Sequence, residues 1–188
     1  MSDIKLIART ALGGYARQFD GISIAEVANR AIVSIACPRD GEKALADAVK
    51  KSLGCDMPPV GRSVVAKSGI RIAGMQPGQW FALLDFAGDD AVGEIAGKLG
   101  DKAYYTDQTD AWAMLSVSGP NCRRALERIC MLDLAPGSFP EGASTRTVME
   151  HLGTLIVRDG PDSFLLAAAR SSAKSFLHAV ETSAQNVG

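Results

Sequence analysis

Residues 69–99, GIRIAGMQPGQWFALLDFAGDDAVGEIAGKL, align without a gap on residues 153–183, GTLIVRDGPDSFLLAAARSSAKSFLHAVETS, at an offset of 84. Within this alignment Pro77 meets Pro161 at the turn of each block. Each block combines two runs of strand character with a stripe of apolar residues at helical spacing. The similarity indicates either a repeated structural unit or two generic hairpin-helix units.

The strand-to-helix corners that precede the two blocks also correspond. AIVSIACPRDGEKAL (31–45) resembles AMLSVSGPNCRRAL (113–126), and Pro38 falls 82 residues before Pro120. The order strand, helix, two or three strands, helix then occurs twice. Split β-α-β units of this kind place their helices on one face of an antiparallel sheet. The sequence therefore predicts an α+β fold of two fused ferredoxin-like lobes with antiparallel sheets.

Strand runs and helical stripes follow one another along most of the chain. Strands are predicted at 22–27, 31–36, 64–67, 70–74, 80–86, 112–117, 145–149, 154–158 and 163–168, and helices at 45–53, 92–99, 122–130 and 173–180. We expect residues 1–20 to form an N-terminal tail with some disorder. Residues 21–106 are predicted to form the first lobe and residues 107–188 the second, with the two lobes joined in one compact unit.

The charge and hydropathy patterns exclude two classes of partner. The chain has 20 Lys and Arg against 21 Asp and Glu, and it lacks a basic block that would neutralise a nucleic-acid backbone. Its longest apolar run, residues 31–37, is far shorter than the ~20 residues of a membrane helix. The first 21 residues lack the apolar region of a secretory signal. We therefore expect a cytoplasmic protein that binds neither nucleic acid nor membrane.

Metal-ligating side chains are few and widely spaced. The cysteines are Cys37, Cys55, Cys122 and Cys130, and the histidines are His151 and His178. No pair of cysteines has the CxxC spacing of a zinc site. A chain of this length without an export signal is expected to keep its thiols reduced. The pattern predicts neither a structural zinc site nor a disulfide framework.

The corner Ser118-Gly119-Pro120-Asn121 joins an apolar strand to a predicted helix. Such a corner can bind an anion through the N–H groups at the helix N-terminus. Pro120 fits the first helical position, however, and Ser118 or Gly119 fits the cap, so local geometry explains the sequence. The corner also lacks the glycine spacing of dinucleotide-binding and P-loop motifs. We interpret it as a corner without a ligand.

Cys122 is the candidate nucleophile, because it follows this corner and precedes Arg123 and Arg124. It also lies on the apolar stripe of the predicted helix, which favours a buried thiol. His151 falls in a predicted hairpin turn and His178 lies off the stripe of the last helix. Neither histidine is positioned by the sequence as a general base for Cys122.

Four further segments have conformational explanations. DQTD (107–110) brings two carboxylates together at the lobe junction, where turn and capping roles are expected. QPGQ (76–79) is a turn signal, and MPPV (57–60) and FPEG (139–142) are typical of extended connectors. The sequence accordingly predicts no catalytic, cofactor-binding or metal-binding residue in this chain.

Four stretches resemble the gamma subunit family of heterotetrameric sarcosine oxidase, a small relative of the T-protein (aminomethyltransferase) of the glycine cleavage system. They are GCDMPPVGRSV (54–64), GMQPGQWFALL (74–84), DQTDAWAMLSVSGPNCRRALERICMLDLAPGSFPEGASTRTVMEH (107–151) and GPDSFLLAAARSSAKSFLHAV (160–180). The resemblance implies a fold similar to the aminomethyltransferase folate-binding domain.

It also implies a function. Such a chain is an accessory, non-catalytic subunit of a complex that oxidatively demethylates sarcosine to glycine with O₂. The products are hydrogen peroxide and 5,10-methylenetetrahydrofolate or formaldehyde. The implied partners are the alpha, beta and delta subunits. FAD, FMN, NAD and tetrahydrofolate are expected in the two larger subunits and zinc in the smallest, with no cofactor bound by this chain.

Two alternatives remain open on the sequence. The chain could be a stand-alone folate-dependent aminomethyltransferase-like one-carbon transferase, with a channel between the lobes as its pocket. It could also be a ligand sensor with the same fold. Binding of tetrahydrofolate by the isolated chain separates the first alternative from an accessory subunit.

Overall fold

The computed structural model describes residues 9–187. The helices are α1 (Glu42–Leu53), α2 (Ala91–Leu99), α3 (Cys122–Leu126) and α4 (Ala173–Gln185). The strands are β1 (Ala16–Phe19), β2 (Ile22–Glu26), β3 (Arg30–Ala36), β4 (Ser63–Val65), β5 (Arg71–Gln76), β6 (Gln79–Asp85), β7 (Tyr104–Asp107), β8 (Trp112–Ser118), β9 (Ser144–Met149), β10 (Leu152–Gly160) and β11 (Ser163–Ala169).

The strands form two antiparallel sheets. The first sheet has the order β4-β5-β6-β3-β7, and the second has the order β1-β2-β8-β11-β10-β9. Every named pair of neighbouring strands is antiparallel. The predicted α+β class with antiparallel sheets is confirmed.

Each sheet is covered on its outer face by two helices. In the first lobe, Val33 of β3 packs in one core with Leu45 of α1 and Ile95 of α2. In the second lobe, Val117 of β8 packs in one core with Phe176 of α4. All five side chains are at most 1% exposed. The apolar stripes seen in the sequence are therefore the faces that the helices bury.

The other faces of the two sheets pack against each other. Phe81 and Leu83 of β6 share a buried cluster with Leu155 of β10 and Leu165 of β11. Because successive side chains of a strand point to opposite faces, Ile32 lies in this middle cluster while the next residue lies under the helices. The result is four layers in the order helices, sheet, sheet, helices.

The two sheets repeat the same strand order. The series β3-β6-β5-β4 in the first sheet corresponds to β8-β11-β10-β9 in the second. Gln79–Asp85 and Ser163–Ala169 are central strands at the sequence offset of 84. Arg30–Ala36 and Trp112–Ser118 correspond at the offset of 82. The similarity found in the sequence is therefore a structural repeat.

The repeated halves exchange one strand each. β2 precedes β3 in the chain but pairs with β8 of the second sheet, where Ile24 faces Val117. β7 precedes β8 but pairs with β3 of the first sheet, where Tyr105 faces Ile35. The strand that leads into each half thus completes the sheet of the other half.

This exchange corrects the predicted placement of residues 22–26 in the first lobe. Ile22 and Ile24 alternate along β2 and are buried in the helix-covered core of the second lobe, at 1% and 0% exposure. Burial of these two side chains in that core and hydrogen bonding of β2 to the edge of β8 place the strand in the second lobe. The described part of the predicted tail also departs from expectation, because residues 16–19 form β1. Residues 1–8 lie outside the described range.

Side-chain hydrogen bonds attach this N-terminal segment to the second lobe. The Tyr15 hydroxyl donates to Glu181 of α4 at 2.6 Å, and Arg170 donates to the carbonyl oxygen of Arg9 at 2.7 Å. Burial and the Glu181 carboxylate raise the pKa of Tyr15 to about 12. The phenol therefore remains a donor to Glu181 through the neutral pH range.

The third helix is shorter than predicted. It was expected at 122–130 but ends at Leu126. The Ile129 N–H donates to the Leu126 carbonyl three residues earlier, which is the spacing of a 3₁₀ turn and not of an α-helix. Cys130 then forms a β-bridge with Met149 of β9. Pairing with the sheet edge thus ends the helix before the apolar stripe ends.

An ion pair crosses between the sheets. Arg71 of β5 is 8% exposed and pairs with Asp159 of β10. Its guanidinium also donates to the Ser63 hydroxyl at 3.0 Å, and the Ser63 N–H donates to the Gly142 carbonyl at 2.6 Å. Burial lowers the pKa of Arg71 while Asp159 opposes that effect, so the pair keeps the buried charge compensated.

Substitution of Gly119 tests the contact between the first hairpin and the second lobe. Gly119 has φ +111°, and an added Cβ would collide with the carbonyl oxygen of Gly21. Gly119→Ala is expected to lower the free energy of unfolding by more than about 2 kcal/mol, measured by urea denaturation. The control is Gly97→Ala in α2, where an added Cβ meets no atom within 4 Å. It should raise stability by roughly 0.5–1 kcal/mol. Equal effects would contradict the predicted close approach.

Substitution of Asp159 tests the ion pair. Asp159→Asn leaves the buried Arg71 guanidinium without its carboxylate and should cost about 1–3 kcal/mol, discounted because Asp159 is partly exposed. The double variant with Arg71→Met removes the orphaned charge and should be more stable than Asp159→Asn alone. The control is Asp56→Asn, which removes the exposed pair with Lys50 and should change stability by less than about 0.5 kcal/mol. A double variant less stable than Asp159→Asn would disprove this account.

Candidate functional site

The corner at 118–121 is filled by the chain itself. The Asn121 N–H donates to the Gly21 carbonyl at 3.1 Å, and the Gly119 N–H donates to the Asp162 carbonyl at 2.9 Å. The Asn121 side chain donates to the Asp20 carbonyl at 3.2 Å. The N–H groups of Gly119 and Asn121 therefore bond to the β10–β11 turn and to the β1–β2 hairpin, and neither is left for an anion.

The helix after this corner begins at Cys122, where its apolar stripe begins, but its cap lies later than the sequence indicated. Asn121 is the cap and Cys122 the first helical residue, whereas Ser118 or Gly119 was predicted as the cap. Gly119 instead packs closely against the Gly21 backbone, so the turn continues for two residues beyond Gly119 before the helix is capped. The five-residue helix that follows is short because of the bridge at Cys130.

Cys122 is a core thiol. It is 0% exposed and packs among the apolar side chains of the second lobe, as its position on the stripe predicted. Burial, and secondarily the carboxylate of Asp162, raise the pKa of Cys122 to about 11. A thiol is nucleophilic only as the thiolate, so this group is inert near neutral pH.

Neither histidine is hydrogen-bonded to Cys122 among the described residues, and neither contributes to the shift of its pKa. His151 has φ +67° and Glu150 has φ +43°, so both form the tight turn between β9 and β10. His178 is exposed on α4 and lines a surface groove of about 380 Å³ with Arg128. The predicted turn position of His151 and surface position of His178 are confirmed.

The segment DQTD has a turn-forming role, as predicted. Asp107 accepts the Thr109 N–H at 2.7 Å, and the Thr109 hydroxyl accepts the Ile32 N–H at 3.2 Å. Asp110 is almost fully exposed and lies 3.7 Å from Arg170. The two carboxylates thus serve separate contacts and do not share a proton site.

A second cavity of about 320 Å³ lies at the junction of the lobes. A channel between the lobes is the pocket expected for the alternative one-carbon transferase. Arg30 on its wall pairs with Asp85, and Glu26 accepts the N–H groups of Leu12 and Gly14. These charged groups of the wall are therefore engaged in contacts that hold the chain together.

Arg158 is a buried residue that the sequence reasoning missed. It is 4% exposed and lies over the ring of Phe164 at 5.6 Å. Its guanidinium donates to the carbonyl oxygens of Leu134, Phe139, Gly160 and Pro161. The segment containing FPEG is thus organised around a cation. The one signal in the sequence is an arginine inside the apolar run LIVRDG.

The residues that the structure describes contain neither a metal-binding cluster nor a helix that could span a membrane. Over 9–187, no group of three or more His, Cys, Asp or Glu side chains is placed to hold a metal ion. None of the helices in the same range is long and apolar enough to cross a membrane.

The geometry defines a two-lobed α+β protein in which the candidate reactive groups have structural roles. Residues 39–185 match the sarcosine oxidase, gamma subunit family. The chain belongs to this family, as the resemblance of its four stretches predicted. No curated protein sequence shows significant similarity to the chain.

Two solved structures share the fold. A chain of heterotetrameric sarcosine oxidase from Corynebacterium sp. U-96, in complex with pyrrole 2-carboxylate, matches with a TM-score of 0.77 and 21% identity, over 91% of this chain and 87% of that chain. Glycine cleavage system aminomethyltransferase T from Bartonella henselae matches with a TM-score of 0.59 and 14% identity. That match covers 85% of this chain and 45% of the aminomethyltransferase chain. The predicted similarity to the aminomethyltransferase fold is confirmed.

Thiol labelling tests the assignment of Cys122. In the folded protein, a thiol reagent should modify the partly exposed Cys37 and Cys55 and leave the buried Cys122 and Cys130 unmodified. All four should react after unfolding, and mass spectrometry of peptides locates the labels. Rapid labelling of Cys122 in the native state would show an accessible thiolate and overturn the assignment.

The pH dependence of stability gives a second measurement of the same group. The ordinary pKa of a cysteine is 9.0, and that of folded Cys122 is about 11, so the unfolded state loses its proton first. The stability contributed by the neutral thiol is thus present below about pH 9 and is lost as the pH rises towards 11. Cys122→Ala should flatten the fall of unfolding free energy across this window.

Proposed function

We propose that this chain is the accessory, non-catalytic gamma subunit of a heterotetrameric sarcosine oxidase. The match of residues 39–185 to the gamma subunit family is the observation that carries the proposal. The complex oxidatively demethylates sarcosine to glycine with O₂, and the gamma chain contributes structure to it. Hydrogen peroxide and 5,10-methylenetetrahydrofolate or formaldehyde are the other products.

The non-catalytic role is supported by the use of the candidate groups. The Cys122 thiol is enclosed in the core. The N–H groups of Gly119 and Asn121, in the corner before it, donate hydrogen bonds to neighbouring carbonyls. Asp107 is a turn cap. Groups that could perform acid, base or nucleophilic steps therefore serve the fold, and a complex can supply the chemistry from other chains.

The proposal includes the partners and their cofactors. The alpha and beta subunits would carry FAD, FMN, NAD and the tetrahydrofolate site, and the delta subunit would carry zinc. The gamma chain would bind none of these groups. A cytoplasmic location fits four cysteines that are all free thiols, since reducing compartments keep thiols unpaired.

Reconstitution tests this function. The gamma chain is expressed alone and also together with the alpha, beta and delta subunits of the same source. The isolated chain should be colourless, and the co-expressed chain should elute with the flavin-containing subunits in one peak. Stoichiometric flavin on the isolated chain, or elution apart from the other subunits, would disprove the proposal.

One observation favours a second candidate, a folate-dependent one-carbon transferase. The fold is shared with an aminomethyltransferase T, and a cavity of about 320 Å³ lies between the lobes. The chain spans 45% of that relative, so most of an aminomethyltransferase would have to be supplied elsewhere. Calorimetric titration of the isolated chain with tetrahydrofolate decides between them. Saturable binding supports the transferase, and absence of heat supports the accessory subunit.

A further inference from the structure

Arg146 stands at the open edge between the two sheets. It lies on β9, the edge strand of the second sheet, and is itself exposed. Its guanidinium carbon lies 5.4 Å from the ring centre of Phe81 and 5.6 Å from the ring centre of Trp112. Phe81 belongs to the first sheet and Trp112 to the second. The arginine therefore covers the seam where the two sheets meet.

The two rings hold the guanidinium in place. Phe81 and Trp112 meet edge to face, with ring centres 6.1 Å apart. A guanidinium over aromatic faces gains cation–π and stacking contacts and loses part of its freedom. Most exposed arginines have many conformers available, whereas Arg146 is organised before any partner arrives. Such organisation reduces the entropy that binding would otherwise cost.

Hydrogen-bond acceptors are missing from this cluster among residues 9–187. Carboxylates lie within ion-pair distance of Arg17, Arg30, Arg71, Arg123 and Arg170. Neither Arg146 nor Arg124 is in such a pair among the described residues, but of these two only Arg146 lies over aromatic rings. No described acceptor takes the side-chain N–H groups of Arg146. The indole N–H of Trp112 is buried and has no acceptor either. The cluster is thus positively charged and rich in unused donors.

The surface beside Arg146 is apolar. Val148 lies two residues further along the same face of β9 and is 44% exposed. It pairs with Gly153, which is also exposed and adds no side chain to cover it. An arginine stacked on aromatic rings beside an exposed apolar side chain is a composition found at the energetic centre of protein interfaces.

We propose that Arg146 and Val148, supported from below by the Phe81–Trp112 pair, form the docking point for a partner subunit, which presents an aspartate or glutamate side chain to the Arg146 guanidinium. The inference rests on the proposed function, because the occupant is another chain of the sarcosine oxidase complex. A carboxylate matches the planar donor fork of arginine with two parallel hydrogen bonds. An apolar residue of the same partner segment covers Val148.

The shape of the surface favours a protein over a small anion. Arg146 and Val148 lie on an open edge strand and line neither the groove at α4 nor the cavity between the lobes. A small carboxylate binds well where the protein encloses most of its surface. A partner chain brings its own apolar surface and excludes water from the ion pair once docked.

Assembly of the co-expressed complex tests the ion pair. Arg146→Glu should weaken association of the gamma chain with the other three subunits by at least about 30-fold, measured by competition with labelled wild-type gamma chain. Arg146→Gln removes the positive charge without introducing a negative one and should weaken association by less. The control is Arg124→Glu on the exposed face of α3, which should assemble like the wild type. Circular dichroism melts of each free variant show whether the fold is retained.

Cross-linking identifies the occupant directly. In the assembled complex, Arg146→Lys places an amine at the proposed contact, and a carbodiimide joins an amine to a carboxylate with no spacer. Mass spectrometry should find residue 146 joined to an aspartate or glutamate of a partner subunit. Arg124→Lys is the matched control and should give no such product.

The outcomes separate this inference from the proposed function. If the wild-type chain fails to assemble with the other subunits, the function itself is wrong. If the wild type assembles and Arg146→Glu assembles with unchanged affinity, the function stands and the docking point is wrong. A free wild-type chain that binds acetate at Arg146, with assembly unaffected by Arg146→Glu, would also overturn the docking point in favour of a small-anion site.

Discussion

Burial of both faces of both sheets is the constraint on which this structure depends. Ile32 and Val33 are neighbours on β3, and both are fully buried on opposite faces. A sheet with two apolar faces cannot leave one of them in water without losing roughly 25 cal/mol for each Å² exposed. Helices cover the outer faces, and the inner faces cover one another. The four layers follow from this requirement.

The strand exchange makes the two lobes depend on each other. Removing residues 21–106 would take β2 from the second sheet and expose the edge of β8. Removing residues 107–188 would leave β7 but uncover the inner face around Phe81. The backbone also crosses between the lobes where Arg62 bridges Ala143. The lobes are repeated in architecture, yet each is completed by the other.

The central elements could be predicted because their sequences are locally informative. The strand at 79–85 is a continuous apolar run, as is typical of a strand buried on both faces, and the helix at 91–99 carries a period of 3.6 residues. Both formed within a residue of the predicted bounds. Cys122 could be assigned to the core for the same reason, since it lies on a helical stripe. Periodicity reports which face is buried, and burial decides these elements.

Other features depend on partners distant in the chain. β1 and β7 are four residues each, largely exposed, and carry no apolar alternation, so nothing local marks ARQF or YYTD as strands. The alternation of Ile22 and Ile24 predicts a strand but does not say which sheet takes it. Arg158 lies in an apolar strand, and its carbonyl acceptors come from the segment 134–139 and from the β10–β11 turn. The contacts of Arg146 likewise join residues that are 65 and 34 positions away.

Charged and polar groups that have hydrogen-bond partners within the chain differ in location from those that lack them, and this difference relates to the proposed function. Arg158 and Arg71 are buried, and the chain provides acceptors for both, because a buried charge without partners would destabilise the fold. Cys122 is protected from ionisation, and the corner at Gly119 is closed by the first hairpin. Arg146 lies over two aromatic rings, and no acceptor among residues 9–187 takes its side-chain N–H groups, so in the proposed complex these donors are available to another subunit.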